Sequence, residues 1–68
     1  MIIVVNGERR ELTPPVRLRD VLGLAEGEEA PRGVAVAVDG TVVPRSRHAT
    51  MDLADGARVE IVRAVQGG

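Results

Sequence analysis

Short apolar stretches and turn residues alternate along the start of the chain. Residues 1–5 are apolar and stop at Asn6-Gly7, a dipeptide that suits a type I′ hairpin turn because both central residues take a positive φ. The second arm of this hairpin, residues 8–13, is strongly charged and ends at Pro14-Pro15. Proline cannot donate a ladder hydrogen bond and charged side chains need water, so the pattern predicts an edge strand.

A short helix is predicted after the two prolines. Leu18, Val21 and Leu22 recur at i, i+3 and i+4, so they lie along one helix face, with charged neighbours turned outward. Gly23 or Gly27 can end the helix, and the acidic stretch that follows is typical of a solvated loop. The helix therefore offers one apolar stripe that can cover a sheet.

The second half of the chain predicts further strands. Valine alternates with alanine over residues 34–38, which predicts a central strand buried on both faces, with limited space on one side. Asp39-Gly40 turns the chain into residues 41–43, and Asp55-Gly56 turns it into residues 58–65. Parallel strands need a long crossover, so we expect the helix to connect the first hairpin to the later strands. The first and last strands then lie side by side in an α+β domain, a mixed sheet of four to five strands packed on one short helix.

Composition limits the chemistry that this single domain of 68 residues can perform. The chain has no Cys, Lys, Phe, Trp or Tyr, and its nine basic residues are all Arg. Without Cys, and with His48 as the only histidine in what is expected to be a solvated loop, no metal site is predicted. Without aromatic residues, and with a net charge of −1, no nucleic-acid partner is expected. No stretch resembles a signal peptide or a membrane span of about 20 apolar residues, so we expect a cytoplasmic protein that does not bind membranes.

The chain ends in Gly67-Gly68 directly after the last predicted strand. We expect residues 1–63 to form the folded domain and residues 64–68 to form a flexible tail. Five extended residues span at most roughly 17 Å, enough to place the terminal carboxylate in a recessed active site of another protein. Glycine has no Cβ and suits a narrow channel, although a terminal Gly-Gly taken alone is more often only a frayed end.

Several segments, in this order and along the whole chain, carry a family resemblance. They are Val5-Asn6-Gly7, residues 18–22, residues 34–40, residues 42–45, residues 53–56, residues 58–62 and Val65-Gln66-Gly67-Gly68. Together they resemble the ThiS family of sulfur carriers in the ubiquitin-like β-grasp superfamily. The sequence departs from the family pattern at Asp39, where such carriers usually have Asn, at Ala57, where many have a second acidic residue, and at Arg17, near the expected helix cap.

The resemblance implies a carrier that acts as a cosubstrate and is not itself an enzyme. Gly68 would be adenylated by a ThiF-like enzyme and converted to a thiocarboxylate with sulfur from a cysteine desulfurase or similar donor. Thiazole synthase, ThiG, would then use this sulfur in thiamine biosynthesis. ATP would be used by the partner, because this chain has neither a P-loop nor a lysine and is expected to bind no cofactor.

Partner enzymes would recognise the tail through Gly67, Gln66 and Val65. Val4 and Val62 form a candidate docking face, since they point away from the helix if their neighbours in the strands point toward it. Two other functions stay open. One is a related sulfur carrier, similar to the small subunit of molybdopterin synthase or serving cysteine or secondary metabolism. The other is a ubiquitin-like protein modifier or a passive binding module.

Overall fold

The computed structural model describes residues 1–63, which form one larger sheet, a two-stranded pair and a short helix. The elements in chain order are β1 (Ile2–Val5), β2 (Glu8–Glu11), β3 (Val16–Arg17), α1 (Leu18–Leu22), β4 (Val34–Val38), β5 (Thr41–Val43), β6 (Asp52–Leu53) and β7 (Arg58–Arg63). The five-stranded sheet has the order β2-β1-β7-β4-β5, and β3 pairs with β6. Strands β1 and β7 are parallel and adjacent, as predicted, while the other neighbours are antiparallel. The predicted α+β architecture is therefore confirmed.

Two of the three predicted dipeptide turns, Asn6-Gly7 and Asp39-Gly40, are type I′ turns. Asn6 and Gly7 have φ values of 49° and 81°, and Asp39 and Gly40 have 51° and 82°. Two successive positive φ angles define a type I′ turn, in which Asn and Asp are tolerated at the first position and Gly at the second. These turns fix the register of the β1–β2 and β4–β5 hairpins.

Helix α1 begins without a capping side chain on the residue before it. Arg17 precedes the helix, and its backbone N–H donates to Asp20 Oδ2 at 2.8 Å. A side chain in the first turn thus satisfies a backbone donor at the helix start, which is one half of a capping box. Gly23, at φ 73°, ends the helix in the left-handed conformation. The helix is only five residues long, so its stability comes from packing, with Leu18 fully buried.

The core lies on one face of the five-stranded sheet, which we call the inner face. Alternate residues of the strands point into it, and the helix and the β3–β6 pair close it from the other side. The buried apolar residues that pack together in this core are Ile3, Val5, Val16, Leu18, Val36, Val38, Val43, Leu53, Ala57 and Val59. The opposite face of the sheet is called the outer face.

The expectation that residues 34–38 form the central strand, buried on both faces, is wrong. β7 is the middle strand, and β4 lies between β7 and β5. Ala35 is exposed and Ala37 is half-buried. The small alanine side chains were interpreted as a sign of limited space on their side of the strand. That side of β4 faces outward instead, and no layer of the described residues covers it.

The β3–β6 pair was not predicted, and the stretch before β6 is more ordered than its composition indicates. Val16 pairs with Leu53 and Arg17 with Asp52, and a 3₁₀ turn covers Arg45–Arg47. This pair brings two buried apolar residues, Val16 and Leu53, over the inner face. It therefore completes the core of a domain whose helix is too short to cover the sheet alone.

Candidate functional site

Strand β7 is the described segment that leads to the predicted tail. It extends to Arg63, and residues 64–68 lie outside the described residues. The predicted boundary between domain and tail therefore stays a prediction. So do the roles of the predicted tail residues, Gly68, Gly67, Gln66 and Val65. The structure defines the point on the domain from which that segment continues.

Side chains from the two type I′ turns hold the backbone of β7. Asn6 Oδ1 accepts the N–H of Ile61 at 2.8 Å, and Asn6 Nδ2 donates to the Ile61 carbonyl at 3.3 Å. On the opposite edge of β7, Asp39 Oδ1 accepts the N–H of Arg58 at 2.9 Å. Asp39 therefore fixes β7 near its start, and Asn6 fixes it near its last described residues.

The predicted docking residues Val4 and Val62 both lie on the outer face, although they are not neighbours. Val4 is half-buried and pairs with Arg58, while Val62 is 64% exposed and pairs with Ala35. At a rise of about 3.3 Å per residue, Val62 lies about 13 Å along β7 from the position beside Val4. Arg58 and Glu60 occupy the outer face between them. A role for either valine in docking stays a prediction.

Val62 belongs instead to a continuous apolar area at the other end of the outer face. Val42 is 73% exposed and pairs with Ala37, and Ala35 pairs with Val62. We call these four residues the outer patch. Val42 was not predicted, although the register of the Asp39-Gly40 hairpin could have placed it beside Ala37, on the face opposite Val36.

His48 is buried, so its expected place in a solvated loop is wrong. Only 1% of it is exposed, and its Nε2 lies 2.9 Å from the carbonyl oxygen of Val43. A carbonyl only accepts, so Nε2 carries the proton in this contact. Nδ1 has no hydrogen-bond partner among the residues that the structure describes. The side chain ties the 3₁₀ segment to the end of β5, and burial leaves it closed to a substrate.

The charged side chains of residues 1–63 form ion pairs but no metal-binding group. Within this range, no three His, Cys, Asp or Glu residues group closely enough to hold a metal ion. Arg17 Nε lies 3.5 Å from Asp52 Oδ1, and an Arg45 guanidinium nitrogen lies 3.7 Å from Glu29 Oε2. The two carboxylates are largely exposed and the two arginine side chains are nearly half exposed. Such surface ion pairs contribute little stability.

None of the described helices is long and apolar enough to span a membrane.

Comparisons with known proteins agree with this geometry. The ThiS family model matches residues 3–68. The crystal structure of a thiamine biosynthesis protein (ThiS) from Geobacter metallireducens is 25% identical, covers 100% of both chains and has a TM-score of 0.70. This likeness confirms the predicted ubiquitin-like β-grasp fold. A comparison with curated protein sequences finds no significant match. Because the family match covers nearly the whole chain, including Gly67 and Gly68, the protein belongs to the ThiS family.

Proposed function

We propose that this protein is a sulfur carrier of thiamine biosynthesis, with the carboxylate of Gly68 as its point of attachment. One observation carries the proposal: the match to the ThiS family continues through the terminal Gly-Gly to residue 68. The chain has no P-loop and no lysine with which to bind ATP, so the proposal assigns the activation of the carboxylate to another protein. The carrier is then a cosubstrate, and the catalytic groups belong to its partners.

The proposed chemistry has two steps at Gly68. A carboxylate oxygen attacks the α-phosphorus of ATP in a ThiF-like enzyme, pyrophosphate leaves, and an acyl adenylate forms. Sulfide then attacks the acyl carbon and AMP leaves. When a cysteine desulfurase or similar donor supplies the sulfur as a persulfide, its terminal sulfur attacks, AMP leaves, and an external thiol then reduces the S–S bond of the acyl disulfide. The product is a C-terminal thiocarboxylate, which donates sulfur to thiazole synthase, ThiG.

The outer patch is the proposed docking surface for the adenylating enzyme. It joins two strongly exposed valines, Val42 and Val62, through two alanines that let a partner approach the sheet closely. Val62 lies within β7, the strand that continues into the predicted tail. A partner seated on the outer patch would therefore be close to the chain segment that must enter its active site.

Intact-mass spectrometry tests the proposal directly. The purified protein is incubated with the ThiF-like enzyme of its own organism, magnesium ATP and sulfide. The protein should gain the mass difference between one sulfur and one oxygen atom. If it gains no such mass with any adenylating enzyme of that organism, the proposal is wrong.

Two matched variants locate the reaction at the terminus. Deletion of Gly68 keeps a glycine carboxylate but shortens the tail by one residue, and addition of alanine after Gly68 lengthens it by one. Both should abolish the mass gain, because the acyl carbon no longer reaches the same place in the partner's site. A mass gain in either variant would show that the position of the terminus does not matter.

The same preparation separates the alternative functions by their products. Isopeptide-linked adducts on other proteins would indicate a ubiquitin-like modifier. Sulfur delivered to a molybdopterin precursor or to cysteine, and not to thiazole synthase, would indicate a related sulfur carrier.

A further inference from the structure

Asn6 has a second role besides forming its turn. Strand β1 ends at Val5, whereas β7 continues to Arg63. The backbone N–H of Asn6 still reaches the carbonyl of Val59 at 2.8 Å. Beyond that point, the next backbone groups of β7 on this side belong to Ile61, and β1 has no residue left to meet them.

The side-chain amide of Asn6 takes the place of the missing backbone. Its Oδ1 accepts from the Ile61 N–H and its Nδ2 donates to the Ile61 carbonyl, at 2.8 and 3.3 Å. A primary amide presents the same donor and acceptor as a peptide group. It therefore adds one rung to the parallel ladder, two residues before the end of the described part of β7.

Asp39 shows that the turn itself does not require this amide. It occupies the equivalent position of the other type I′ turn, at nearly the same φ, and its side chain also bonds β7. Within residues 1–63, the Asp39 side chain makes one hydrogen bond, in which Oδ1 accepts the Arg58 N–H. The Arg58 carbonyl accepts the backbone N–H of Asp39. A carboxylate is sufficient at position 39, whereas position 6 uses both a donor and an acceptor.

We infer that Asn6 is a positioning residue for the carrier reaction. Its amide fixes the backbone of β7 at Ile61 and so sets the direction in which the chain leaves the sheet toward Gly68. This inference rests on the proposed function. The contact is exposed to solvent, so water competes for both groups and the effect is local opening of β7, with little change in global stability.

The test compares Asn6→Gly with Asp39→Gly. Both variants create a Gly-Gly dipeptide, which still fits a type I′ turn, and both remove a side-chain contact to β7. The first contact lies near the tail and the second near the start of the strand. Amide hydrogen exchange at each residue of β7 is followed by NMR, and adenylation of wild type and variants by the ThiF-like enzyme gives kcat and KM.

For Asn6→Gly, exchange at the Ile61 amide should rise about fivefold or more, the population change that corresponds to one ordinary hydrogen bond. The kcat for adenylation should fall by a similar factor with KM unchanged, because the outer patch is intact while the tail is presented less often in the productive direction. For Asp39→Gly, exchange should rise at Arg58 and kcat should stay at the wild-type value.

A third variant, Asn6→Asp, retains the acceptor but places a carboxylate oxygen against the Ile61 carbonyl. It should lower kcat as Asn6→Gly does, which checks the result in a chain without the added flexibility of a second glycine.

Three results would overturn the inference: unchanged exchange at Ile61 in Asn6→Gly, a kcat equal to that of wild type despite faster exchange, or equal losses of kcat in Asn6→Gly and Asp39→Gly. Equal losses would mean that general destabilisation, and not the position of β7, slows the reaction. If wild type itself is not adenylated, both the proposed function and the inference are wrong. If wild type is adenylated but the variants do not behave as predicted, only the inference is wrong.

Discussion

The two faces of the five-stranded sheet are built from the same strands but differ in what they can do. On the inner face, Ile3 and Val59 are almost completely buried, as is Leu18 of the helix that packs against this face. On the outer face, Val42 and Val62 are 73% and 64% exposed. Side chains alternate along a strand, so residues three apart on β7, Val59 and Val62, face the core and the solvent respectively. Stability therefore depends mainly on the inner face, and the outer face remains available for the proposed docking.

Leu18→Ala should produce the largest loss of stability in this comparison. Leu18 is fully buried and belongs to the only α-helix of residues 1–63. Replacing a buried leucine by alanine costs about 2–5 kcal/mol through lost transfer energy and the cavity left behind. Alanine is the strongest helix former, so the loss cannot come from helix propensity.

Thermal unfolding followed by circular dichroism measures this loss. In a domain of 60–100 residues, 1 kcal/mol corresponds to a Tm change of about 4–8 °C. Leu18→Ala should therefore lower the Tm by more than about 8 °C. A smaller change would mean that the helix contributes less to the inner face than its burial indicates.

Val59→Thr should produce the next largest loss. Val59 is 1% exposed and lies in the middle strand of the sheet. Threonine has nearly the same shape and the same branching at Cβ, so strand propensity is retained. The change buries a hydroxyl among apolar side chains and should cost about 1–3 kcal/mol, measured by urea unfolding. A cost near zero would mean that the hydroxyl reaches a backbone carbonyl or water at this position.

Local patterns predicted the hairpins and the outline of the sheet well. Asn6-Gly7 and Asp39-Gly40 carry their conformation in their own residue types, and a two-residue turn fixes the register of both arms. Alternation then separates the faces, as it does for Val59 in β7. The adjacency of β1 and β7 also follows from a general rule, because a parallel pair needs a long connection and the helix lies in that connection.

Features that depend on distant partners were not predictable. β3 and β6 are two residues each, too short for any period, and they form only because Val16 and Leu53 meet across the chain. His48 has charged and polar neighbours in the sequence, and in the buried position its Nε2–H donates to the carbonyl oxygen of Val43. The Val-Ala alternation of β4 reports side-chain size but not whether a second layer covers the strand.

The candidate site was predicted only in part, because some of its contacts also join residues that are far apart in the sequence. The terminal Gly-Gly, with its family resemblance, is visible in the sequence alone. Asn6 was predicted only as a turn residue. Its side-chain contact with Ile61 was not predictable, because the two positions are 55 residues apart. Val42 is a different case, because the register of the Asp39-Gly40 hairpin already places it beside Ala37. What could not be predicted is that no layer of the described residues covers that face.

The smallest change in stability is expected from Val62→Thr, which repeats on the outer face the substitution tested at Val59. Val62 is 64% exposed, so the free energy of unfolding should change by no more than about 0.5 kcal/mol. The double variant Val42→Thr/Val62→Thr should still raise the KM of the adenylating enzyme roughly tenfold, since two methyl groups would be lost from the proposed contact at about 0.8 kcal/mol each. Glu11→Gln, on the exposed edge strand β2 and away from the outer patch, serves as the control. If the double variant and the control have the same KM as wild type, the outer patch is not the docking surface, and the outer face differs from the inner face only in being uncovered.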